Sequence, residues 1–326
     1  MRDNNRLMQL REALTEGVRK GWSGFLWMMK IIIPVSFLTM LLAWSGVLER
    51  LNPLIGPAMN VLHLPSAAAL PLLIGMLTGI YGGIASMAVL PFTTEEMTLI
   101  AIFLLIAHNL IQESIIQGKS GVNPFVALIF RLCFATVTVL IVAPFLGMEG
   151  AGTGVPVAAA ETVEHSLRDA LTEWAGTTLV LSIQIFGIIM GILTSLEILK
   201  ALGWTDHIVR AFTPLLKIMG LSRQVAVLWM TAVIFGLSYG GAVIVEEARA
   251  GNITREELRE LHLSIGINHS MIEDPTLFLP LGIGAFWLWV PRFVMALAAV
   301  RLLTLWYRLR ARVTGVTGGP DGNPSN

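Results

Sequence analysis

The stretch Leu72–Leu90, LLIGMLTGIYGGIASMAVL, recurs in altered form at Leu228–Val245, LWMTAVIFGLSYGGAVIV. Each is apolar enough for a membrane helix, yet each carries a small, flexible knot in its middle. The knots are Gly79-Ile80-Tyr81-Gly82-Gly83 and Leu237-Ser238-Tyr239-Gly240-Gly241. Tyr81 and Tyr239 are two of only 3 tyrosines in the chain, which makes a chance match a poor account. Each glycine costs a helix interior about 1 kcal/mol relative to alanine. The pattern therefore predicts two re-entrant hairpins whose glycine elbows lie at membrane depth. Irregular backbone is tolerated there only where protein or a watery cavity satisfies its polar groups. The alternative is an ordinary spanning helix with glycines for close packing.

Composition sets the class. Of 326 residues, 55% are hydrophobic and 13% charged, and several apolar stretches are long enough to span a bilayer. An all-α polytopic membrane protein follows. The net charge is zero, so nothing draws the chain to nucleic acid. The single cysteine, Cys133, lies in an apolar run and reads as a buried structural thiol; it leaves no disulfide or paired-cysteine metal framework.

Taken in order, a charged helix over Met1–Lys20 leads into a first span, Trp22–Trp44. Val47–Leu62 is amphipathic and reads as an interfacial helix. The first hairpin follows, to about Pro91. Thr93-Thr94-Glu95-Glu96 is a capping box that starts a helix running to about Gln117. Phe125–Leu146 spans, and Gly147–Ala160 is a flexible connector into an acidic stretch. The order then repeats: a span at Thr178–Leu199, an amphipathic segment at Thr205–Met219, the second hairpin at Gln224–Val245 and a second capping box at Thr254–Glu257. A helix over Leu258–Asp274, stopped by Pro275, and a span over Ile283–Trp306 complete it. The period is about 160 residues. It pairs Tyr81 with Tyr239, Glu96 with Glu257, Asn109 with His269, Glu113 with Glu273 and Arg131 with Arg292.

Loop charge chooses the topology, because cytoplasmic loops are enriched in Lys and Arg. With re-entrant hairpins and a cytoplasmic N-terminus, only Arg50 and Arg168 lie outside. With spanning hairpins, Arg50, Lys119, Lys200, Arg210, Lys217 and Arg223 do. The first arrangement gives two inverted repeats, each with three spanning helices, an interfacial amphipathic helix and a re-entrant helical hairpin. Both termini are then cytoplasmic.

Inverted repeats with broken helices are the architecture of secondary transporters, whose sites form near the midplane. Thr78, Gly79, Tyr81, Gly82 and Gly83 at one elbow, and Ser238, Tyr239, Gly240 and Gly241 at the other, are candidate solute contacts, with Asn109 and Asn268. Tight packing of the hairpin arms is the other role open to these small residues. His108, Glu113, His269, Glu273 and Asp274 are candidates for ion coupling. A charge at the bilayer centre costs about 2.5–3.5 kcal/mol on insertion scales, so its presence in both halves needs compensation. Arg131 and Arg292 are natural partners, for Glu113 and for Glu273 or Asp274; static struts are the plainer reading. His108, Glu113, His269 and Glu273 are the right donors for a metal. They follow no ligand-spacing motif, and no metal or other cofactor is assigned on sequence alone. His262 reads as a core or interface histidine. No enzyme motif is present.

GIYGGIA at Gly79–Ala85 with HNLIQES at His108–Ser114, and LSYGGAV at Leu237–Val243 with NHSMIED at Asn268–Asp274, resemble the Gate-domain, or nucleoside-recognition-domain, membrane proteins. That family includes the two spore-maturation membrane proteins and the membrane part of the bacterial ferrous iron transporter B, and is related to concentrative nucleoside transporters. The GTP-binding motifs of the iron transporter are absent here. The resemblance covers about Lys30–Leu140 and Leu179–Leu303. With the spans and loop charges it divides the chain into two Gate repeats at 22–147 and 175–307, flanked by a cytoplasmic amphipathic N-terminus at 1–21 and a cytoplasmic tail at 308–326 that is basic, then disordered by composition. An extracytoplasmic connector at 148–174 joins them. The repeat symmetry and the midplane polar groups point to a secondary-transporter-like bacterial inner-membrane protein that moves a small polar solute, such as a nucleoside or other metabolite, with a proton or sodium gradient. A non-transporting scaffold or regulator of the spore-maturation type, a metal-ion permease and homo-oligomerisation stay open.

Overall fold

A computed structural model describes residues 2–148, 166–204, 207, 223–251 and 253–314. Among these the chain is helical and contains no strand. The first half holds α1 (Arg2–Trp44), α2 (Val47–Val61), α3 (Ala69–Thr78), α4 (Ile80–Met87), α5 (Thr94–Ala107), α6 (Leu110–Lys119) and α7 (Pro124–Val142). The second holds α8 (Leu167–Ala201), α9 (Arg223–Arg249), α10 (Arg255–Asn268), α11 (Glu273–Thr276) and α12 (Ala285–Thr314). The amphipathic segment expected at Thr205–Met219 lies outside the described residues, His207 excepted, as does most of the connector. α12 continues through Arg308 to Thr314, so the basic tail starts as helix.

Five stretches are long and apolar enough to cross a membrane: Met8–Trp44, Thr94–Lys119, Pro124–Leu146, Leu167–Ala201 and Ala285–Leu302. Arg50–Val61 and Ser66–Thr78 form a pair bent by 85°. That bend suits an amphipathic helix that leaves the direction of the span before the chain turns into the hairpin. Most of the large outward-facing side chains of the spans are apolar, Leu38, Val137, Ile183 and Val294 among them, as a lipid solvent favours, while Lys30 and Gln184 are exposed as well. Cys133 is exposed as well, which corrects its reading as a buried thiol. In a bilayer protein an apolar run has an outer face as apolar as its inner one, so hydrophobicity alone does not place a residue inside.

α1 and α8, the first spans of the two halves, run antiparallel along much of their length. A Cβ on Gly17 would lie 2.6 Å from Thr194 Cα, and one on Gly21 2.5 Å from Met190 Sδ. Near the other end of the pair, Trp174 Nε1 donates to Ser36 Oγ at 3.0 Å. Small residues let the two backbones approach, the usual means of helix association where no water is expelled.

The first hairpin turns at Gly79. Its φ of 95° and ψ of −179° lie in a region essentially reserved for glycine. α3 and α4 then close on each other, with a Cβ on Gly83 only 3.6 Å from Gly75 Cα. Leu104 of α5 packs into the notch; a Cβ on Gly75 would lie 2.5 Å from its Cδ2.

α9 is helical from Arg223 to Arg249, but its path is not straight. In a continuous helix residues eight apart are separated by about 12 Å. Here a Cβ on Gly240 would lie 2.5 Å from Ala232 Cα. The carbonyls of Ala232 and Val233 accept from Ser270 N at 3.2 Å and Met271 N at 2.8 Å. The chain therefore folds back between Ala232 and Gly240, the counterpart of the approach of Gly83 to Gly75.

Both capping boxes form. Thr93 Oγ1 accepts from Glu96 N and Glu96 Oε2 from Thr93 N; Thr254 and Glu257 do the same. The helices they start are shorter than expected. α5 ends at Ala107 instead of running to Gln117, and α10 ends at Asn268 instead of Asp274. Pro275 does not stop a helix; it sits in the first turn of the short α11, where its missing N–H costs nothing. The two early endings create the site.

Candidate functional site

At the end of α5, His108 is extended (φ −74°, ψ 160°) and Asn109 is left-handed (φ 47°, ψ 38°) before α6 begins. At the end of α10, His269 is extended (φ −89°, ψ 164°) and Ser270 is left-handed (φ 48°). A non-glycine residue in that conformation costs about 1–2 kcal/mol, so both breaks need support from their surroundings. Two buried arginines supply it. Arg131 Nε donates to Ile106 O and its Nη2 to His108 O, each at 2.8 Å. Arg292 Nε donates to Ile267 O at 2.6 Å and its Nη2 to His269 O. The same guanidinium fork thus serves carbonyls that the breaks deprive of helical partners. Each break is also tied to its hairpin, through Asn109 N to Gly75 O at 3.0 Å and Ser270 N to Ala232 O.

This correspondence fixes the register. His108 matches His269, Asn109 matches Ser270, and Glu113 matches Asp274, in step with Arg131 and Arg292. The sequence pairings of Asn109 with His269 and of Glu113 with Glu273 are therefore one residue out. They rested on a shared four-residue spacing, and Ser270–Asp274 has the same spacing.

The two breaks meet. His108 Nε2 and His269 Nε2 are 3.3 Å apart, and each is 3.3 Å from Glu113 Oε1. Asp274 Oδ2 is 3.5 Å from His108 Nε2. Glu113 Oε2 receives Arg131 Nη1 at 2.6 Å, the ion pair expected from sequence. Arg292 makes no such pair with Glu273 or Asp274 among the described residues. Asp274 is one methylene shorter than Glu113, and its Oδ1 accepts from Ser270 Oγ at 2.8 Å. His108, Glu113, His269 and Asp274 are each 6% exposed or less. Charge here is screened by protein alone, so each group depends on its partners.

The other candidates divide. Glu273 turns away from the histidines and accepts from Tyr81 Oη at 2.9 Å, linking the first hairpin to the second break. Tyr81 is held edge-on against Trp27, with ring centroids 5.4 Å apart. Gly79 lies beside Asn109, whose Nδ2 donates to Gln112 Oε1 at 3.2 Å. Gly82 and Gly83 are buried in the hairpin, and Gly240 and Gly241 are buried too. Thr78 is exposed and donates back to Ile74 O, so its hydroxyl serves its own helix. Asn268 is fully buried, and neither side-chain polar atom has a hydrogen-bond partner among the described residues. The side chains of Ser238 and Tyr239 lie outside the described residues. His262 bridges the halves by a 2.5 Å contact with Ser120 Oγ, in keeping with an interface role. The carbonyls of Leu104 and Ile265, which orient the two histidine rings, carry no sequence signal because any residue supplies them.

The helical architecture and its five apolar stretches define a multi-pass membrane protein. Comparison with known proteins agrees: the chain is 27% identical over 302 residues to "Uncharacterized membrane protein YvoD" of Bacillus subtilis (strain 168), covering 91% of this chain and 94% of that protein. No family model and no solved structure matches the chain.

Proposed function

We propose that the chain is a secondary transporter of two inverted Gate-type repeats, carrying a small polar solute, with ion coupling at the paired breaks. The observation that carries this reading is the meeting of His108 and His269, each at the break of its own repeat, with Glu113 and Asp274 beside them. Transporter sites are built at such meetings, because broken helices expose backbone and polar groups at membrane depth without facing lipid. The antiparallel course of α1 and α8 supports inversion, since equivalent spans of parallel repeats would point the same way. Tyr81 and Glu273 supply a contact between one hairpin and the opposite break that a rocking motion would make and release. The loop charges support both termini in the cytoplasm, and the resemblance to the Gate-domain proteins supports an inner-membrane location.

Uptake into proteoliposomes tests this. With nucleosides and related metabolites as candidate solutes and an imposed proton or sodium gradient, uptake is expected to depend on the gradient. Glu113→Gln and Glu273→Gln are each expected to slow it by about 100-fold, the scale for loss of a proton-transfer group. Undiminished uptake in both variants would remove these carboxylates from the mechanism. A stable protein partner with no uptake of any solute would favour the scaffold reading.

A further inference from the structure

The geometry points to a binding site for a divalent transition-metal ion, formed by His108 Nε2, His269 Nε2 and Glu113 Oε1. The three ligand atoms form a near-equilateral triangle, with all three edges at 3.3 Å. A tetrahedron with edges of that length has its centre about 2.0 Å from each corner, the length of zinc–imidazole and zinc–carboxylate bonds. The three atoms therefore already stand as one face of a tetrahedral coordination shell.

Proton accounting makes the same point. His108 Nδ1 is 2.8 Å from Leu104 O, and His269 Nδ1 is 2.8 Å from Ile265 O. A carbonyl only accepts, so each Nδ1 carries the proton and donates it. In the neutral rings both Nε2 atoms are then bare lone pairs. They face each other and a carboxylate oxygen, three acceptors with no donor between them. A positive charge at their centre resolves the conflict, either a proton on one Nε2 or a metal ion, and the tetrahedral spacing of the three atoms favours the metal. Backbone carbonyls that hold the far nitrogen of each histidine are the usual outer support of metal-ligating imidazoles. Arg131 plays that part for Glu113, holding Oε2 so that Oε1 faces the histidines.

The surroundings accept added positive charge. Glu113, Glu273 and Asp274 are three carboxylates near two guanidiniums, Arg131 and Arg292. Asp274 Oδ2 is buried, has no hydrogen-bond partner among the described residues, and lies 3.5 Å from His108 Nε2. It stands beside the triangle, where it can complete the shell directly or through water. Three protein ligands and an exchangeable fourth position distinguish a site that releases or presents its ion from a closed structural one. Two imidazoles and one or two carboxylates suit zinc and its first-row neighbours; magnesium and calcium prefer all-oxygen shells. That the ion takes part in transport rests on the transport reading above; that it binds does not.

The test uses the full-length protein without a histidine tag, stripped with chelator in detergent and titrated with Co²⁺ and then Zn²⁺. One Co²⁺ per chain is expected, with the intense visible spectrum of tetrahedral cobalt, displaced by one Zn²⁺. His269→Ala is expected to weaken binding by more than about 100-fold, beyond the 10–100-fold typical of outer-shell losses. Exchange of the exposed His207 for glutamine should change nothing. X-ray absorption of the Zn²⁺-loaded wild-type protein, which needs no variant to fold, should reveal two imidazoles at about 2.0 Å. An octahedral cobalt spectrum, a zinc shell without imidazole, no stoichiometric binding, or unchanged affinity in His269→Ala would each overturn the site. Metal binding without gradient-driven uptake would defeat only the transport reading. Uptake of another solute by a protein that binds no metal would defeat only the metal site.

Discussion

Exchange of Arg131 for methionine is expected to destabilise the protein by about 3–5 kcal/mol, the cost of removing one partner from a buried ion pair. Arg131 is fully buried, and its guanidinium makes three contacts at once: Ile106 O, His108 O and Glu113 Oε2. Methionine fills most of the volume but leaves two carbonyls and a carboxylate without their donor. Lysine is no remedy, because a single ammonium cannot reproduce the planar fork. Thermal or denaturant unfolding of the purified protein in detergent measures the loss. Pairing Arg131→Met with Glu113→Leu should recover part of it, since the uncompensated charge goes with the carboxylate. Equal losses in the single and double variants would mean that the carbonyls alone account for the arginine.

Gly79→Ala is expected to cost about 1–3 kcal/mol, the range for a side-chain-bearing residue forced into backbone conformation reserved for glycine. Space is not the reason: the nearest atom to an added Cβ is Asn109 Cβ, at 3.9 Å. The penalty is conformational and should appear in the same unfolding measurement. Asn109→Gly supplies the opposite sign at the neighbouring break. Its φ of 47° is one that glycine adopts without strain, so this variant should be neutral or slightly stabilised. A destabilised Asn109→Gly beside an unaffected Gly79→Ala would contradict the backbone geometry of both turns.

Local features were legible in the sequence because their causes are local. A capping box needs only a hydroxyl and a carboxylate three residues on, and both copies form where read. The first glycine elbow turns because Gly79 itself takes up the required backbone. The ends of α5 and α10 were not legible. Residues 104–112 contain neither glycine nor proline, and the helix stops because Arg131, 25 residues on in sequence, takes over the carbonyls. The registration of the acidic pair failed for a related reason. Glu273 and Asp274 are adjacent, and only the position of Arg292 and the left-handed Ser270 decides which one occupies the place of Glu113. Both histidines stood out as polar groups in apolar helices. Their meeting depends on how the two halves dock, which no spacing within either half encodes.

Glu95 and Glu256 occupy equivalent places in the two capping boxes, and both are exposed. Inverted repeats put them on opposite sides of the membrane; parallel repeats put them on the same side. Single cysteines at each position, in a chain with Cys133 replaced by serine, can be labelled in intact cells with a membrane-impermeant maleimide. Labelling is expected at position 95 from outside, and at position 256 only after the membrane is opened. Labelling of both from the same side would contradict the inverted arrangement.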